Sequence, residues 1–292
     1  MFFANIGGTM NDIKHVTKEY ALVGFPLRHS VSPFIHSRLF AIKGMDASYT
    51  LCEAEDGSLG EMWEQRLQYL GGFNVTIPYK TAIIPYLDTL SSRAALFGAV
   101  NTVCFENGKA VGHNTDCEGF LRSLKAAGIP LAGEVLITGC GGVSRMFAFE
   151  SALAGASVTL AVRESSMEKA RRLRGEIRDK LSADARIVLL DEIDKPYDLL
   201  INGTPVGMYP HEDACPVSED AVKRCGAVFD AIYNPLQTKL LQYADAADVP
   251  YVNGLPMLVW QAAVAEELWN GVQYSEAEIQ QVLKQTEGEL SR

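Results

Sequence analysis

The sequence predicts an α/β protein built from two units, and three observations lead to this prediction. Short runs of β-branched and aromatic residues alternate with stretches of helical periodicity in residues 134–252, and this alternation is typical of a parallel sheet covered by helices. A glycine-rich turn at residues 139–142 stands between a predicted strand and a predicted helix. A composition break at residues 128–133 separates this second unit from the first. The 292 residues suffice for two domains of common size.

The charge balance restricts the partners of the protein. The chain carries 26 lysines and arginines against 36 aspartates and glutamates, which gives a net charge of −10. General binding to nucleic acid or to an anionic membrane needs a basic face, so we expect neither. An acidic protein can still have a basic pocket, and an anionic small molecule therefore remains a possible ligand.

The cysteines and the beginning of the chain predict a cytoplasmic protein. The six cysteines contain no C-x-x-C pair, which is typical of the reduced thiols of a cytosolic protein and offers no zinc site. Residues 1–16 have only a short apolar run before Asn5, so we expect no signal peptide. No stretch approaches the ~18 consecutive apolar residues of a membrane-spanning helix.

In the first unit, residues 20–24 predict a strand, and a helix is expected from Pro33 to Gly44 with Ser32 as its cap. Ser30 and Ser32 flank the start of this helix, where two hydroxyls and free backbone N–H groups can bind a carboxylate. The alternative is that Ser32 only caps the helix and Ser30 only shapes the turn.

Residues 49–53 predict a second strand, residues 59–70 a helix, and residues 73–77 a third strand that Pro78 ends. Alternation places Asn74 and Thr76 on one side of this strand. Lys80 then follows at the carboxyl end, where open α/β sheets bind their ligands. A lysine in a partly closed site can move protons, and the alternative is an ordinary solvated lysine. A helical stretch is expected next, through residues 83–87.

Residues 99–105 and 110–113 predict a hairpin, because Asn107-Gly108 between them is a strong turn signal. Asn101 lies in its first arm. Asp116 follows the second arm at the start of a helix that runs to Gly128, and capping of that helix is the alternative role of this carboxylate. The histidines show no paired spacing with carboxylates, so we expect no metal site.

The second unit begins with a predicted strand at 134–138, the glycine turn and a helix ending near Gly155. Such a turn cradles phosphate, although its sixth position is Ser144 instead of glycine. The next strand, 157–162, ends in Arg163 and Glu164. An arginine here suits a ribose 2′-phosphate and an acid suits a free 2′-hydroxyl, so we expect NADP and leave NAD open.

Further strands of this parallel sheet are expected at 186–190, 197–201, 227–230 and 251–252. Two turns that follow these strands, at 202–208 and 232–235, are expected at the ligand edge of the sheet. The chain then enters a long amphipathic helix after Asn253. Gln261 is polar among its apolar first turns, and its alternative role is that of a surface residue or a structural hydrogen bond.

Taken in order, the motifs of residues 20–270 resemble those of the shikimate dehydrogenase family. The matching pieces are Gly24-x-Pro26-x-x-His29-Ser30-x-Ser32-Pro33, Asn74-Val-Thr-Ile-Pro-Tyr-Lys80, Gly98-Ala-Val-Asn-Thr102, Gly112-His-Asn-Thr-Asp116, the turn at Gly139, Asn202-Gly-Thr-Pro-Val-Gly-Met208, Asp230-x-x-Tyr233-x-Pro235-x-x-Thr238 and Gly254-x-x-Met257-Leu-x-x-Gln261. A chance match of eight motifs in the same order is very improbable.

The resemblance implies a substrate domain of residues 1–117 plus 255–292 and an inserted Rossmann-type, doubly wound domain of residues 118–254. It implies reversible reduction of 3-dehydroshikimate to shikimate with NADP(H), with Lys80 as the acid–base group and Asp116 as its partner. The substrate residues that it implies are Ser30, Ser32, Asn74, Thr76, Lys80, Asn101, Asp116, Tyr233 and Gln261. The cofactor residues that we expect are Gly139, Cys140, Gly141, Gly142, Val143, Arg163, Thr204, Ile232 and Gly254.

Three features depart from the family pattern. The usual Asn-Arg-Thr after the second Rossmann strand is here Val162-Arg163-Glu164, and the second arginine that often follows is Met167. Glu266 stands where the resemblance predicts an aromatic residue. Residues 1–16 precede the first strand and are interpreted as a flexible extension.

Other functions stay open at this point. A dual quinate/shikimate dehydrogenase using NAD is the nearest alternative, and a monomer and a homodimer are equally compatible with the sequence. A catalytically silent nucleotide sensor is expected to lose the Lys80/Asp116 pair, which is intact here. A methylene-tetrahydrofolate type of dehydrogenase is disfavoured by the Ser30/Ser32 and Asn74/Thr76 pairs, which suit a polyol with a carboxylate.

Overall fold

The computed structural model describes residues 17–28, 30–55 and 57–291, which form two six-stranded sheets, each covered by helices. The predicted α/β fold with two sheets is confirmed. The prediction of a flexible extension at residues 1–16 and the motif position His29 lie outside the described residues. No helix in the described ranges combines the length and the apolar character that a membrane span needs.

The first sheet is mixed, with the strand order β2-β1-β3-β5-β6-β4. Parallel pairing joins β2, β1 and β3, whereas β5 runs antiparallel to β3 and β6. The predicted hairpin is present, and both Asn107 and Gly108 have positive φ, as the tight turn requires. The strands are β1 Lys18–Gly24, β2 Ala47–Glu53, β3 Gly72–Val75, β4 Thr89–Leu90, β5 Thr102–Glu106 and β6 Lys109–His113.

The helices of this region are α1 Ser32–Lys43, α2 Leu59–Gln65, α3 Ser92–Phe97 and α4 Asp116–Ala126. Two helix predictions are wrong. The helix expected over 59–70 stops at Gln65, because Arg66 leaves helical geometry at φ −141°, and a short 3₁₀ turn follows. The helical stretch expected after the third strand consists of turns and a 3₁₀ turn, because prolines 78 and 85 interrupt its hydrogen-bond ladder.

The second sheet is entirely parallel, with the strand order β12-β11-β10-β7-β8-β9. The order reverses beside β7, and this reversal opens a crevice at the carboxyl ends of β7 and β10. The strands are β7 Glu134–Thr138, β8 Ser157–Val162, β9 Ala185–Leu189, β10 Leu199–Asn202, β11 Val228–Asp230 and β12 Tyr251–Val252. The helices are α5 Gly142–Leu153, α6 Met167–Leu181, α7 Glu219–Lys223 and α8 Lys239–Ala246.

The chain then returns to the first sheet through α9 Leu255–Asn270 and α10 Glu276–Leu290. The amphipathic character predicted for α9 is wrong, since every residue from 259 to 266 is buried. The helix packs against α1, α4 and α10, and a helix enclosed in this way has no solvent face to which polar residues can be confined. Gln261 and Glu266 therefore lie in the interior, and each needs a partner there.

Candidate active site

A cavity of about 440 Å³ lies at the carboxyl ends of β1 and β3, a size suited to a small organic ligand. The structure brings all nine predicted substrate residues to its wall. Arg28 and Leu258 also line it, and sequence reasoning missed both. The signal for Arg28 was its place two residues before Ser30, where a cation would complement the predicted carboxylate site. The residues predicted for the substrate are Ser30, Ser32, Asn74, Thr76, Lys80, Asn101, Asp116, Tyr233 and Gln261.

An ion pair between Lys80 and Asp116 stands in this wall. The Lys80 Nζ atom lies 2.6 Å from Asp116 Oδ2, with 32% and 18% of the two side chains exposed. The main chain of Lys80 is held because its carbonyl accepts a hydrogen bond from the Val100 N–H at 2.8 Å. The pair is thus fixed in place yet open to a ligand.

Asp116 does not have the capping role considered from the sequence. Thr115 occupies the N-cap of α4 without a side-chain cap hydrogen bond of its own, and the Asn114 Oδ1 atom accepts from the Cys117 N–H at 3.4 Å. The Asp116 carboxylate instead accepts hydrogen bonds from the Lys80 ammonium and from the Asn101 amide, which donates to Oδ1 at 2.9 Å. The carboxylate is therefore bound by two donors from other parts of the chain and not by the N–H groups of its own helix.

Asn101 connects this pair to the rest of the wall. Its amide also donates to Thr115 Oγ1 at 2.9 Å and lies 3.4 Å from Gln261 Oε1, while its carbonyl oxygen accepts from the Thr115 N–H at 2.6 Å. The main-chain oxygen of Asn101 accepts from the amide of Asn74 at 3.1 Å. The buried amides are held in a single network, so their orientations are set before a ligand arrives.

The two serines beside α1 also differ from the capping prediction. The helix begins at Ser32 itself, and its N-cap is Val31, which makes no side-chain cap hydrogen bond. The Ser30 hydroxyl accepts from the Ser32 N–H at 3.3 Å, whereas the Ser32 hydroxyl makes no hydrogen bond with a described residue. A free hydroxyl, the start of a helix and Arg28 thus all line the cavity, and this combination suits an anion.

The glycine turn lies at the carboxyl end of β7, where the order of the second sheet reverses. Gly139 has φ +82°, and a Cβ there would lie 2.7 Å from Thr204 Cγ2, so glycine is required twice over. The helix α5 begins at Gly142 and leaves its first N–H groups free for a phosphate. Ser144 is fully buried and donates to the Gly203 carbonyl at 3.0 Å, which joins this turn to the next one.

A buried polar network supports the two turns predicted at the ligand edge. The Asn202 side-chain oxygen accepts from the N–H and hydroxyl of Thr204 at 3.0 and 2.7 Å, and the Asn202 amide donates to Asp230 at 2.9 Å. Asp230 also accepts from the Thr238 hydroxyl and the Ile232 N–H, at 2.6 and 3.1 Å. Burial raises the pKa of Asp230, the three hydrogen bonds lower it in part, and the resulting pKa is about 6. Sequence reasoning gave this network no role.

The cations near the glycine turn are more numerous than the sequence pattern predicts. Arg163 is exposed after β8 and makes no ion pair with any described residue. Lys169 and Arg172, on α6, are also exposed and likewise have no carboxylate partner in the described ranges. Burial raises the pKa of the Cys140 thiol, and the charges of Lys169 and Arg172 lower it in part, so both cations act on the turn. Two positive charges thus accompany Arg163, although Met167 does not supply one.

Within the described part of the chain, one group of three side chains offers metal-ligand atoms within 4.8 Å of one another, namely Cys104, Glu106 and His113 on the hairpin. Burial raises the pKa of the Cys104 thiol to about 12 and lowers that of His113. Because a thiol is a poor ligand until it is deprotonated, this group does not favour a resident metal. The absence of a metal stays a prediction.

Comparisons with known proteins agree with this geometry. Residues 22–103 match the family model described as the shikimate dehydrogenase substrate binding domain. The chain is 41% identical over 268 residues to the shikimate dehydrogenase (NADP(+)) of Methanococcus maripaludis, covering 87% of this chain and 92% of that protein. It is 38% identical over 264 residues to the enzyme of the same name from Caldanaerobacter subterraneus, covering 89% and 94%.

Among solved structures, the fold is similar to that of the shikimate 5-dehydrogenase of Thermus thermophilus in complex with NADP(H) and shikimate. The TM-score is 0.82 at 34% identity, over 92% of this chain and 99% of that one. With the full-length relatives above, this similarity extends across both sheets and both predicted ligand edges. The chain therefore belongs to the shikimate dehydrogenase family.

Proposed function

We propose that the protein catalyses the reversible, NADP(H)-dependent reduction of 3-dehydroshikimate to shikimate. The observation that carries this proposal is the Lys80–Asp116 ion pair, 2.6 Å long, in the wall of a cavity whose polar lining consists of hydroxyls, amides and one arginine beside several apolar side chains. Such a wall suits a polyhydroxylated ring with a carboxylate. The family relatives named shikimate dehydrogenase (NADP(+)) act on a ligand of this chemistry.

The Lys80–Asp116 pair has the chemistry that the reacting oxygen needs. Oxidation of a secondary alcohol removes the hydroxyl proton while hydride leaves the carbon, and in the reverse direction the carbonyl oxygen takes a proton. The Lys80 ammonium supplies this proton in reduction and its amine accepts it in oxidation. Asp116 accepts a hydrogen bond from the amine and orients it toward the reacting oxygen. The nicotinamide, when bound, supplies or accepts the hydride.

The remaining wall residues orient the ring. Ser30, Ser32 and Arg28 all line the cavity, and we assign the carboxylate to them because hydroxyls and a cation complement its charge. We assign the ring hydroxyls to the polar side chains deeper in the cavity, with Tyr233 nearby. Burial raises the pKa of Tyr233, which keeps its phenol protonated as a donor. The residues given to the ring hydroxyls are Asn74, Thr76, Asn101, Asp116 and Gln261.

The nucleotide fits the edge of the second sheet. Gly141 at the N-cap and Gly142 at the first helical position carry no side chain, so the start of α5 offers backbone N–H groups to open space. We assign the diphosphate to residues 139–143 and place Thr204, Ile232 and Gly254 at the nicotinamide side. Arg163, Lys169 and Arg172 are assigned to the 2′-phosphate, which makes NADP the preferred cofactor although Glu164 follows Arg163 directly.

We propose domain boundaries that follow from these assignments. Residues 1–117 plus 255–292 form the substrate domain, and residues 118–254 form the nucleotide domain. The two ligand edges then face one cleft, and closure of the domains over it excludes water from the reacting carbon. We further propose that the enzyme is cytoplasmic and acts as a monomer or homodimer.

A four-way assay tests the proposed function. Initial rates with shikimate or quinate, each with NADP⁺ or NAD⁺, are followed at the absorbance of the reduced nicotinamide. We expect the pair of shikimate and NADP⁺ to give the highest kcat/KM. Comparable rates with quinate or NAD⁺ would support the dual enzyme instead. Glu164 would then be the residue that favours NAD⁺, because an acid at this position suits a free 2′-hydroxyl. Absence of turnover with all four pairs would support a silent nucleotide sensor.

The same assay tests the cations assigned to the 2′-phosphate. Arg163→Ala and Lys169→Ala are each expected to raise the KM for NADP⁺ about tenfold, the effect of losing one charge-assisted contact, and to leave the KM for NAD⁺ unchanged. Arg171→Ala is the matched control, because this neighbouring arginine of α6 is exposed and pairs with Glu168 at 3.6 Å. Equal effects on both nucleotides would show that these side chains do not bind the 2′-phosphate.

A further inference from the structure

Glu266 is a carboxylate in the core beneath the substrate cavity. It has no exposed surface, although it stands where the family pattern predicts an aromatic residue. Its Oε1 lies 2.8 Å from His36 Nδ1, and its Oε2 accepts the hydroxyl of Tyr274 at 2.5 Å. Removing a carboxylate from water costs several kcal/mol in free energy, and the two hydrogen bonds offset part of this cost.

Glu266 determines which ring nitrogen of His36 carries the hydrogen and helps to orient the ring. An ionised carboxylate only accepts hydrogen bonds, so Nδ1 of the imidazole carries the hydrogen that faces it. The His36 ring is fully buried, and its Nε2 has no hydrogen-bond partner among the described residues. The contact with Glu266 is therefore the one hydrogen bond found for this ring in the described ranges, and it orients the imidazole together with the ring's stacking contact described next.

The His36 plane in turn supports Tyr49. The two rings are stacked with their centroids 3.9 Å apart and an angle of 8° between their planes. The Tyr49 hydroxyl donates to Asn74 Oδ1 at 2.7 Å. Burial, reinforced by the charge of Glu266, holds the pKa of Tyr49 well above its usual range, so the phenol stays a donor. A direct physical path thus runs from Glu266 to a residue of the cavity wall.

Asn74 has little freedom left once Tyr49 is bound. Its Nδ2 group uses both hydrogens, on the Asn101 carbonyl at 3.1 Å and on Thr102 Oγ1 at 2.9 Å. Its Oδ1 has one further lone pair. Any hydrogen bond that Asn74 makes to a molecule in the cavity must therefore be one that it accepts, and a hydroxyl meets this condition whereas a carbonyl does not.

We propose that Glu266, His36 and Tyr49 are positioning residues that hold the Asn74 amide with its oxygen free to accept a substrate hydroxyl. This inference rests on the proposed function, since it assigns a specificity element to that cavity. Asn74 then selects for a ring hydroxyl that stays a hydroxyl in both oxidation states of the substrate. It discriminates against ligands with a carbonyl or no substituent at that position.

The test is the variant Tyr49→Phe, which keeps the stacked ring and removes only the hydroxyl. We expect its KM for shikimate to rise about tenfold, the effect of losing one orienting hydrogen bond, while kcat and the KM for NADP⁺ stay within about twofold of wild type. Tyr251→Phe is the matched control, because its hydroxyl lies 3.4 Å from Asp245 Oδ1 and neither residue lines the substrate cavity. It should leave the KM for shikimate unchanged.

The double variant Tyr49→Phe with Glu266→Gln tests whether the two residues act along one path. Glu266→Gln alone is expected to raise the KM for shikimate, and the double variant should have the same KM as Tyr49→Phe alone. Additive effects would overturn the proposal, as would an unchanged KM in Tyr49→Phe. A wild-type protein that does not oxidise shikimate would instead show that the proposed function fails, and this inference with it.

Discussion

Lys80→Ala is expected to lower kcat for shikimate oxidation by about a thousandfold, the middle of the range for loss of a positioned acid–base group. The residue lies 2.6 Å from Asp116 in the wall of the substrate cavity, and no other described lysine lines that cavity. The nucleotide turns belong to the second sheet. NADP⁺ affinity is therefore expected to stay within about twofold of wild type, which shows that the variant is folded.

Lys125→Ala is the matched control for this experiment. Lys125 is exposed near the end of α4, the helix that begins at Asp116, and it should tolerate the same truncation with wild-type kinetics. Activity of Lys80→Ala within tenfold of wild type, with intact nucleotide binding, would mean that another group transfers the proton. Loss of nucleotide binding in Lys80→Ala would point to a structural role of the ion pair.

Gly254→Ala is expected to have the largest effect on stability, a loss of about 3 kcal/mol or more in the free energy of unfolding. A Cβ at this position would lie 2.1 Å from the carbonyl oxygen of Ala231 and 2.5 Å from its carbon. These are backbone atoms beside β11, so no side-chain rotation relieves the clash. The Gly254 N–H also donates to the Ile232 carbonyl at 2.9 Å, and a shifted backbone would break this bond.

The matched control for Gly254→Ala is Gly175→Ala in the middle of α6. A Cβ there meets no atom within 4 Å, and alanine favours the helix over glycine by about 1 kcal/mol. Denaturant titration should therefore show opposite signs for the two substitutions. Equal stability of the wild-type protein and Gly254→Ala would contradict the close approach of the backbone at this turn.

The sequence was most informative where the local pattern and the tertiary structure require the same residue. Asn107-Gly108 predicted its hairpin because two positive φ angles follow from these residue types alone. The parallel second sheet followed from the alternation of its strands and helices. The side chains around the cavity, in contrast, came from the order of family motifs and not from periodicity.

The errors arose where distant partners override local preference. Ser32 and Asp116 both have good capping side chains, yet neither caps its helix, and Asp116 instead binds Lys80, 36 residues away. The helix α9 was predicted to be amphipathic, but its residue Glu266 is buried and binds His36, 230 residues away. Contacts at such separations have no periodicity in the sequence, so only the folded chain reveals them.

The most direct test of the central claim is a crystal structure of the protein with shikimate and NADPH, a pair that cannot react with each other. We expect the reacting hydroxyl oxygen within about 2.6–3.2 Å of Lys80 Nζ, beside the Asp116 carboxylate, with the shikimate carboxylate at Ser30 and Ser32. A ring bound in the opposite direction, with its carboxylate on Lys80, would contradict the assignment of Lys80 and Asp116 as the acid–base pair.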